Sequence, residues 1–314
     1  MAIYIARRLA AFIPTLLVVS LLIFFMIYLI PGDPVATMLG PEATAEATQK
    51  LREELNLDQP LLQRLVNWYS DALRGDLGQS YFLHQPVSKA LRERLPVTLS
   101  LSAFALVVAA TIGITAGVIA SVRHGRFTDW GIMLLAILGI SIPIFWLALN
   151  MIFFFSVKLG WFPTGGYAPL SEGPRAFLRH LALPGFALGL AYTALIARMT
   201  RSSMLDVLRQ DYMRTAQAKG LRERVVILSH AFRNALVPIA TILGLTAGEL
   251  LSGSVITETV FNLPGVGRLV IDAVNRRDYP VVQGGILLVT MLYLFVNLVV
   301  DLLYGWIDPR IRYS

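Results

Sequence analysis

Six long apolar segments dominate the pattern of this sequence, and they predict six transmembrane helices. A helix needs roughly 20 apolar residues to cross the hydrocarbon core of a bilayer. The segments are Leu9–Ile30, Pro96–Val122, Trp130–Val157, Leu181–Ala197, Asn234–Gly248 with an extension to Thr257, and Tyr279–Val300 with an extension to Tyr304. The predicted fold class is therefore all-α, a polytopic membrane protein with six transmembrane helices.

The first apolar segment predicts a membrane helix rather than a cleaved signal peptide. It exceeds the roughly 7–15 apolar residues of a signal peptide, and no small-residue cleavage pattern follows it. The residues from Pro31 to Pro34 predict the end of this helix.

Residues 31–96 predict a helical loop on the outer face of the membrane. Glu42–Leu57 is rich in good helix formers, and Gly40-Pro41 and Asn56 mark its ends. A second helix is indicated by apolar residues at helical spacing, followed by Gly75 and Gly78; these are Leu61, Leu65, Trp68, Tyr69 and Leu73. Two interpretations remain open, a packing element and a docking surface for an external partner.

These segments give the predicted domain organisation. Residues 1–30 form the N-terminal tail and first transmembrane helix, and 31–96 form the outer helical loop. Residues 97–304 form a five-helix core that contains a cytoplasmic loop at 198–234, and 305–314 form a cytoplasmic tail.

Composition excludes a soluble cytoplasmic enzyme. The chain is 56% hydrophobic and only 15% charged, whereas a soluble domain has about 25% charged residues. Cysteine is absent from the sequence, which excludes disulfides and thiolate metal sites. The four histidines are scattered along the chain, so no metal site is expected.

The distribution of charge predicts the orientation in the membrane. With a cytoplasmic N-terminus, the inside segments carry 14 basic and five acidic residues, and the outside segments carry 13 of each. An excess of Lys and Arg is typical of cytoplasmic segments. We therefore expect both termini in the cytoplasm of a bacterial or archaeal cell, with the chain in its plasma (inner) membrane. The excess of basic residues on the cytoplasmic side of the bilayer accounts for the net charge of +7, and no nucleic-acid partner is expected.

The loop 198–234 carries eight of the basic residues. Two helices are predicted in it, Asp206–Lys219 and Leu221–Ala235, separated by Gly220, which permits a sharp turn. A basic helix lying on anionic lipid is the alternative that charge alone leaves open.

The stretch Asp211–Gly220, DYMRTAQAKG, resembles the coupling-loop motif of ABC importer permeases. Arg214-Thr215-Ala216 occupies the motif's E-A-A position, with arginine in place of glutamate, and Gly220 matches the motif glycine. Arg214, where the general motif has glutamate, matches the subfamily for dipeptides, oligopeptides and nickel. The stretch His230–Pro238, HAFRNALVP, matches that subfamily as well. Further segments along the whole chain are similar to that subfamily, among them Glu258–Arg268, and the long first loop resembles its B-type subunit.

The resemblance implies a permease subunit of an ATP-driven importer. It leaves the substrate open among peptides, opines, glutathione, metal chelates and saccharides. It implies a second, paralogous permease subunit, two ABC ATPase subunits and a periplasmic or lipid-anchored binding protein. The family's helix before the motif glycine docks on the ATPase. The matching contact candidates here are Asp211, Arg214, Thr215, Ala216, Ala218 and Gly220.

No catalytic role or cofactor is expected in this chain. It lacks a G-x-x-x-x-G-K-[ST] phosphate loop, and its nearest glycine cluster, Leu263–Arg268, is interpreted as a turn or re-entrant piece. ATP and Mg²⁺ are therefore expected in the partner subunits.

Two acidic residues lie within the apolar segments. Glu249 and Asp301 are candidates for the transport pathway, because intramembrane charge is costly, at about 2.5–3.5 kcal/mol on insertion scales. Glu249 could instead bond to a neighbouring helix or subunit, and Asp301 could pair with an arginine. A secondary, proton-coupled transporter using these two acids is the alternative function. Pro143 and Pro184 predict kinks in their spans.

Overall fold

The computed structural model describes residues 2–26, 35, 44–54 and 58–307, and this part of the chain is almost entirely helical. The helices are α1 (Ala2–Phe25), α2 (Ala45–Glu54), α3 (Leu61–Leu73), α4 (Val87–Val122), α5 (Phe127–Ser141), α6 (Ile144–Lys158), α7 (Pro174–Leu208), α8 (Asp211–Ala218), α9 (Glu223–Val260), α10 (Val266–Arg276) and α11 (Tyr279–Ile307). Helices α6 and α9 each include a π-helical stretch, at Ile152–Lys158 and Val226–Phe232. The all-α fold class is confirmed.

Within the described residues, four helices are long and apolar enough to cross a membrane, namely α4, α7, α9 and α11. The pair α5 and α6 supplies a fifth span if it is counted as one, and Ala10–Phe25 of α1 is a shorter apolar helix. These elements follow the order of the six predicted segments.

The third span is broken rather than continuous. The sequence predicted one segment over Trp130–Val157, but α5 and α6 meet at an angle of 100°. Ile142 is extended, and Pro143 follows it as the residue before α6. Proline has no N–H to donate and disfavours helical backbone in the residue before it. The expected kink at Pro143 is thus a break, whereas Pro184 lies within the uninterrupted α7.

Several helices extend beyond the apolar segments that predicted them. Helix α4 begins at Val87, so Pro96 lies inside it, and α7 continues to Leu208. Helix α9 begins at Glu223, so the predicted helix Leu221–Ala235 is its first part and continues without a break into the span predicted from Asn234. The predicted loop 198–234 therefore consists largely of helix ends. Hydropathy marks where side chains cease to be apolar, whereas backbone hydrogen bonds continue until a residue interrupts them.

Two glycines let α4 approach α7 closely. A Cβ on Gly113 would lie 2.8 Å from Ile196 Cβ, and one on Gly117 would lie 2.5 Å from the Ala197 carbonyl oxygen. Gly113 and Gly117 form a G-x-x-x-G pattern, which lets two membrane helices approach closely. This crossing places α7, and the segment that follows it, relative to the rest of the bundle.

The helical loop after the first span packs on that span. Ser20 of α1 and Tyr69 of α3 share a hydrogen bond of 2.7 Å between their hydroxyl oxygens. The rings of Phe24 and Trp68 lie 5.9 Å apart in the same contact. The predicted helices of this loop correspond to α2 and α3, and Gly75, at a φ of +82°, follows α3 as expected. The expected breaks at Pro31–Pro34, Gly40-Pro41 and Asn56, and the tail from residue 308, lie outside the described residues.

Candidate functional site

Helix α8 is a short amphipathic helix between the ends of two spans. Met213 and Ala216 are buried at 1% and 8% exposure, while Asp211, Arg214 and Thr215 are exposed. The two buried side chains belong to an apolar cluster with residues of α7 and α9, among them Met204, Val226, Ala231, Ala235 and Ile239. One face of α8 is thereby anchored to the bundle, and the other is accessible.

The chain turns before α8 begins. The sequence predicted one helix over Asp206–Lys219, but Asp206 lies in the last turns of α7 and Gln210 is extended, with a ψ of 147°. This break shifts the helical phase, so Met213 takes the buried position and Tyr212 is 44% exposed. An uninterrupted helix over Asp206–Lys219 would instead place Tyr212 on the same face as Leu208, four residues earlier. Asp211 lies in the first turn of α8, where a carboxylate is favoured by the helix dipole.

Gly220 ends the segment in a left-handed conformation. Its φ is +73°, and a Cβ there would meet nothing within 4 Å. Backbone conformation, rather than lack of space, therefore requires glycine at this position. The Gly220 N–H donates to the Gln217 carbonyl oxygen at 2.9 Å, which closes the last turn.

The predicted contact candidates divide between the two faces. Exposed are Asp211, Arg214, Thr215, Ala218 and Gly220, which we call the α8 outer face. Arg214 Nη1 lies 3.7 Å from Asp211 Oδ1, and the two side chains are 80% and 97% exposed. Ala216 lies on the packed face instead. As a small residue, it lets α8 approach the bundle.

A buried ionic cluster near the same end of the bundle was missed by the sequence analysis. Asp129, at 3% exposure in the first turn of α5, accepts hydrogen bonds from Arg201 of α7 at 2.6 and 2.8 Å. The Gly125 N–H donates to the same carboxylate at 3.0 Å, and His124 Nδ1 lies 3.1 Å from it. The sequence feature that could have indicated this cluster was Asp129 itself, a single carboxylate at the start of an apolar helix.

Glu249 and Asp301 occupy different environments. Glu249 is exposed on α9, and its main-chain carbonyl oxygen lies 3.5 Å from the Tyr192 hydroxyl. Asp301 is half-buried on α11. It follows Val300, which packs on Gly244 of α9. Asp301 therefore lies nearer the α8 end of the bundle than Glu249 does.

Glu258 is a buried carboxylate directly after the fifth predicted apolar segment, which extends to Thr257. It is fully buried and accepts hydrogen bonds from Thr98 Oγ1 at 2.7 Å, Ser254 Oγ at 3.1 Å and the Arg268 N–H at 2.9 Å. Thr98 Oγ1 also accepts from the Val266 N–H at 2.9 Å. A carboxylate at the amino end of α10 satisfies amides that have no partner within the helix.

The glycine cluster after Glu258 makes room for this carboxylate. A Cβ on Gly265 would lie 2.2 Å from the carboxyl carbon of Glu258. The signal in the sequence was the spacing itself, an acid followed by P-G-V-G directly before an amphipathic helix. The arrangement stabilises the junction of α9, α10 and α4.

Comparison with known proteins identifies the family. Residues 113–313 match the family described as binding-protein-dependent transport system inner membrane component, and residues 1–102 match the N-terminal family of the same membrane components. The di/tripeptide transport system permease protein DppB of Pseudomonas aeruginosa is 46% identical over 336 residues, covering 99% of each chain. The glutathione transport system permease protein GsiC of Escherichia coli is 45% identical over 311 residues, again covering 99% of each chain.

Solved structures show the same fold at lower sequence identity. An inward-facing structure of the MetNI methionine ABC transporter matches with a TM-score of 0.55 and 18% identity, covering 69% of this chain and 96% of that one. The family match favours an ABC importer permease over the proton-coupled secondary transporter. The chain belongs to the binding-protein-dependent transport system inner membrane components and is a multi-pass membrane permease subunit of an ABC importer.

Proposed function

We propose that this chain is one of two different permease subunits that together form the pathway of a peptide importer. An external binding protein delivers peptides or similar small solutes, and two ATPase subunits drive transport. The relatives named for di/tripeptides and for glutathione, at 46% and 45% identity over 99% of the chain, support a peptide-like substrate. The observation that carries the coupling role is α8, with one anchored face and one accessible face.

The α8 outer face is the surface that docks on an ATPase subunit. Arg214 and Asp211 offer charges of both signs, and Ala218 allows close approach. Met213 and Ala216 tie α8 to α7 and α9, so movement of the docked helix reaches two spans. Gly220 fixes the end of the helix through its backbone conformation.

ATP and Mg²⁺ bind in the partner subunits, and this chain holds no cofactor. The glycine cluster Leu263–Arg268 is unsuited to a phosphate because the amides beside it already have partners. The Val266 N–H donates to Thr98, and the Arg268 N–H donates to Glu258. The fully buried Glu258 carboxylate would also repel an anion.

The α8 end of the bundle faces the cytoplasm, and both chain termini lie on that side. The positive charge of the segments 1–8, 123–129, 198–234 and 305–314 supports this orientation. The outer helices α2 and α3 then face the binding protein.

Glu249 lines the pathway and meets the amino group of the substrate. It belongs to an exposed stripe on α9 at spacings of three and four residues, formed by Leu245, Glu249, Ser252 and Ile256. An exposed carboxylate within an apolar span is costly against lipid, at about 2.5–3.5 kcal/mol, which favours a wet pathway or the second permease as its surroundings. Asp301 is a second candidate, and its partial burial supports it less strongly.

Reconstitution tests this function. The chain is purified with the subunits that accompany it and placed in proteoliposomes with its binding protein and radiolabelled tripeptide. Uptake is expected to require ATP on the side of the bilayer that carries the ATPase subunits. It is expected to stop when these subunits are removed. Uptake driven by a proton gradient without ATP would contradict the proposal.

A further inference from the structure

A groove runs between the last turns of α4 and the beginning of α9. It has a volume of about 550 Å³, which falls within the roughly 300–1,000 Å³ of small-molecule sites. Its lining includes Val118, Ile119, Val122, Arg123, Arg224 and Leu228. The residues come from two helices that are long and apolar enough to cross the membrane.

The groove combines an apolar floor with two cationic residues. Ile119, Val122 and Leu228 are 40%, 38% and 59% exposed, so the floor is accessible along its length. Arg123 and Arg224 are both exposed, and within the described residues neither forms a salt bridge. No acidic residue lines the groove. This combination suits an amphiphile with an anionic head.

We propose that the groove binds one anionic phospholipid. The phosphate group lies between the Arg123 and Arg224 guanidiniums, which are good phosphate partners. An acyl chain follows Ile119, Val122 and Leu228 toward the bilayer. Basic pockets between membrane helices bind anionic headgroups in this manner. An acidic protein surface would complement the arginines alone and leave the apolar floor without a match, so the lipid fits the groove better.

The groove lies next to the part of α9 that packs against α8. Arg224 and Leu228 flank Val226, whose side chain is 2% exposed in the cluster that holds Met213. This part of α9 is π-helical, a geometry that is frequent at functional sites. A lipid in the groove therefore braces the same turn of α9 that seats α8. This inference concerns lipid binding and does not depend on the direction or substrate of transport.

Lipid titration of the purified complex, followed by native mass spectrometry, tests the site. The complex is delipidated in detergent and titrated with phosphatidylglycerol or phosphatidylcholine. Each arginine is expected to favour the anionic lipid by about fivefold, so wild type prefers phosphatidylglycerol by about 25-fold. The variant Arg123→Gln/Arg224→Gln loses that preference. The matched control Arg126→Gln/Arg222→Gln removes the same charge from neighbouring positions outside the groove. It is expected to keep the preference for phosphatidylglycerol.

A second variant tests the apolar floor. Leu228→Asn is expected to weaken binding of both lipids while leaving the preference for phosphatidylglycerol intact. The proposal is overturned if Arg123→Gln/Arg224→Gln keeps the preference, or if the control loses it equally. It is also overturned if the first variant releases the ATPase subunits or the second permease without changing lipid binding, since the groove is then a protein interface.

Discussion

Arg201 holds both carboxylate oxygens of Asp129, with Nε 2.6 Å from Oδ1 and Nη2 2.8 Å from Oδ2. The pair joins the start of α5, the first half of the broken span, to α7, which leads into α8. The side chain of Asp129 is 4% exposed and that of Arg201 is 24% exposed. Two parallel hydrogen bonds to a buried carboxylate fix distance and orientation together.

Breaking this ion pair should destabilise the bundle. Arg201→Gln leaves the buried Asp129 carboxylate with only the Gly125 N–H and His124 as partners, and removal of one partner from a buried ion pair costs about 3–5 kcal/mol. Asp129→Asn should cost less, because Arg201 is the more exposed partner. The double variant should be less destabilised than the sum of the two. Thermal unfolding of the purified complex measures these differences, with the exposed Arg198→Gln as the control. Additive effects would show that the pair contributes no coupling.

Gly220→Val should uncouple ATP hydrolysis from transport. A β-branched residue at a φ of +73° is strained, by about 1–2 kcal/mol, and relief of that strain reorients the end of α8. Gly220→Asn should retain more activity, because asparagine tolerates the left-handed conformation. The measurement is ATP hydrolysed per peptide transported. Gly160→Val is the matched control, since Gly160 has a φ of +64° and open space around it, and it follows α6 rather than α8. A normal ratio in Gly220→Val would contradict the coupling role.

Arg214→Glu should weaken ATPase docking without affecting the fold. Arg214 is 80% exposed, and its ion pair among the described residues is with the exposed Asp211, a contact worth at most about 0.5 kcal/mol. Recovery of ATPase subunits with the tagged permease is expected to fall while the melting temperature stays unchanged. The reverse pattern is expected for Met213→Ala, which removes a buried side chain at a cost of about 2–5 kcal/mol. Full ATPase recovery with Arg214→Glu would exclude this residue from the interface.

Gly117→Val should disrupt the crossing of α4 and α7. Its Cβ would lie 2.5 Å from the Ala197 carbonyl oxygen, and a backbone atom cannot be moved by a rotamer change. We expect a loss of at least about 3 kcal/mol in stability, at the upper end for overpacking. Gly131→Val in α5 is the control, because a Cβ there meets nothing within 4 Å. Equal melting temperatures for the two variants would show that the crossing is looser than described.

Glu249→Gln and Glu258→Gln should separate a transport role from a structural one. Loss of the Glu249 charge should raise the KM for peptide by about tenfold or more, the size expected for a hydrogen bond to a charged group. Its stability should be unchanged. Glu258→Gln replaces an acceptor for three donors and should cost about 1–3 kcal/mol in stability. Peptide uptake measured at increasing peptide concentration gives the KM, and thermal unfolding gives the stability. Together they distinguish the transport role from the structural role. An unaltered KM in Glu249→Gln would remove that residue from the pathway.

Hydropathy along the chain was enough to establish the class of the protein and the order of its spans. Each apolar segment must match the bilayer independently of its neighbours, so hydropathy along the chain is sufficient. The turn at Gly220 was likewise predicted, because it depends on the backbone of one residue. The outer helices α2 and α3 followed from local helix propensity and spacing.

The packing of the helices, in contrast, establishes which residues meet and which face each helix buries. The break before α8 changed the helical phase, which put Met213 and Ala216 inward and left Tyr212 exposed. Asp129 with Arg201, and Thr98 with Glu258, are pairs of residues far apart in sequence. The first contact depends on the packing of α5 against α7, and the second on the packing of α4 against α9. A linear pattern shows where a carboxylate stands in the chain, but the packing of distant helices supplies the donor that makes its burial possible.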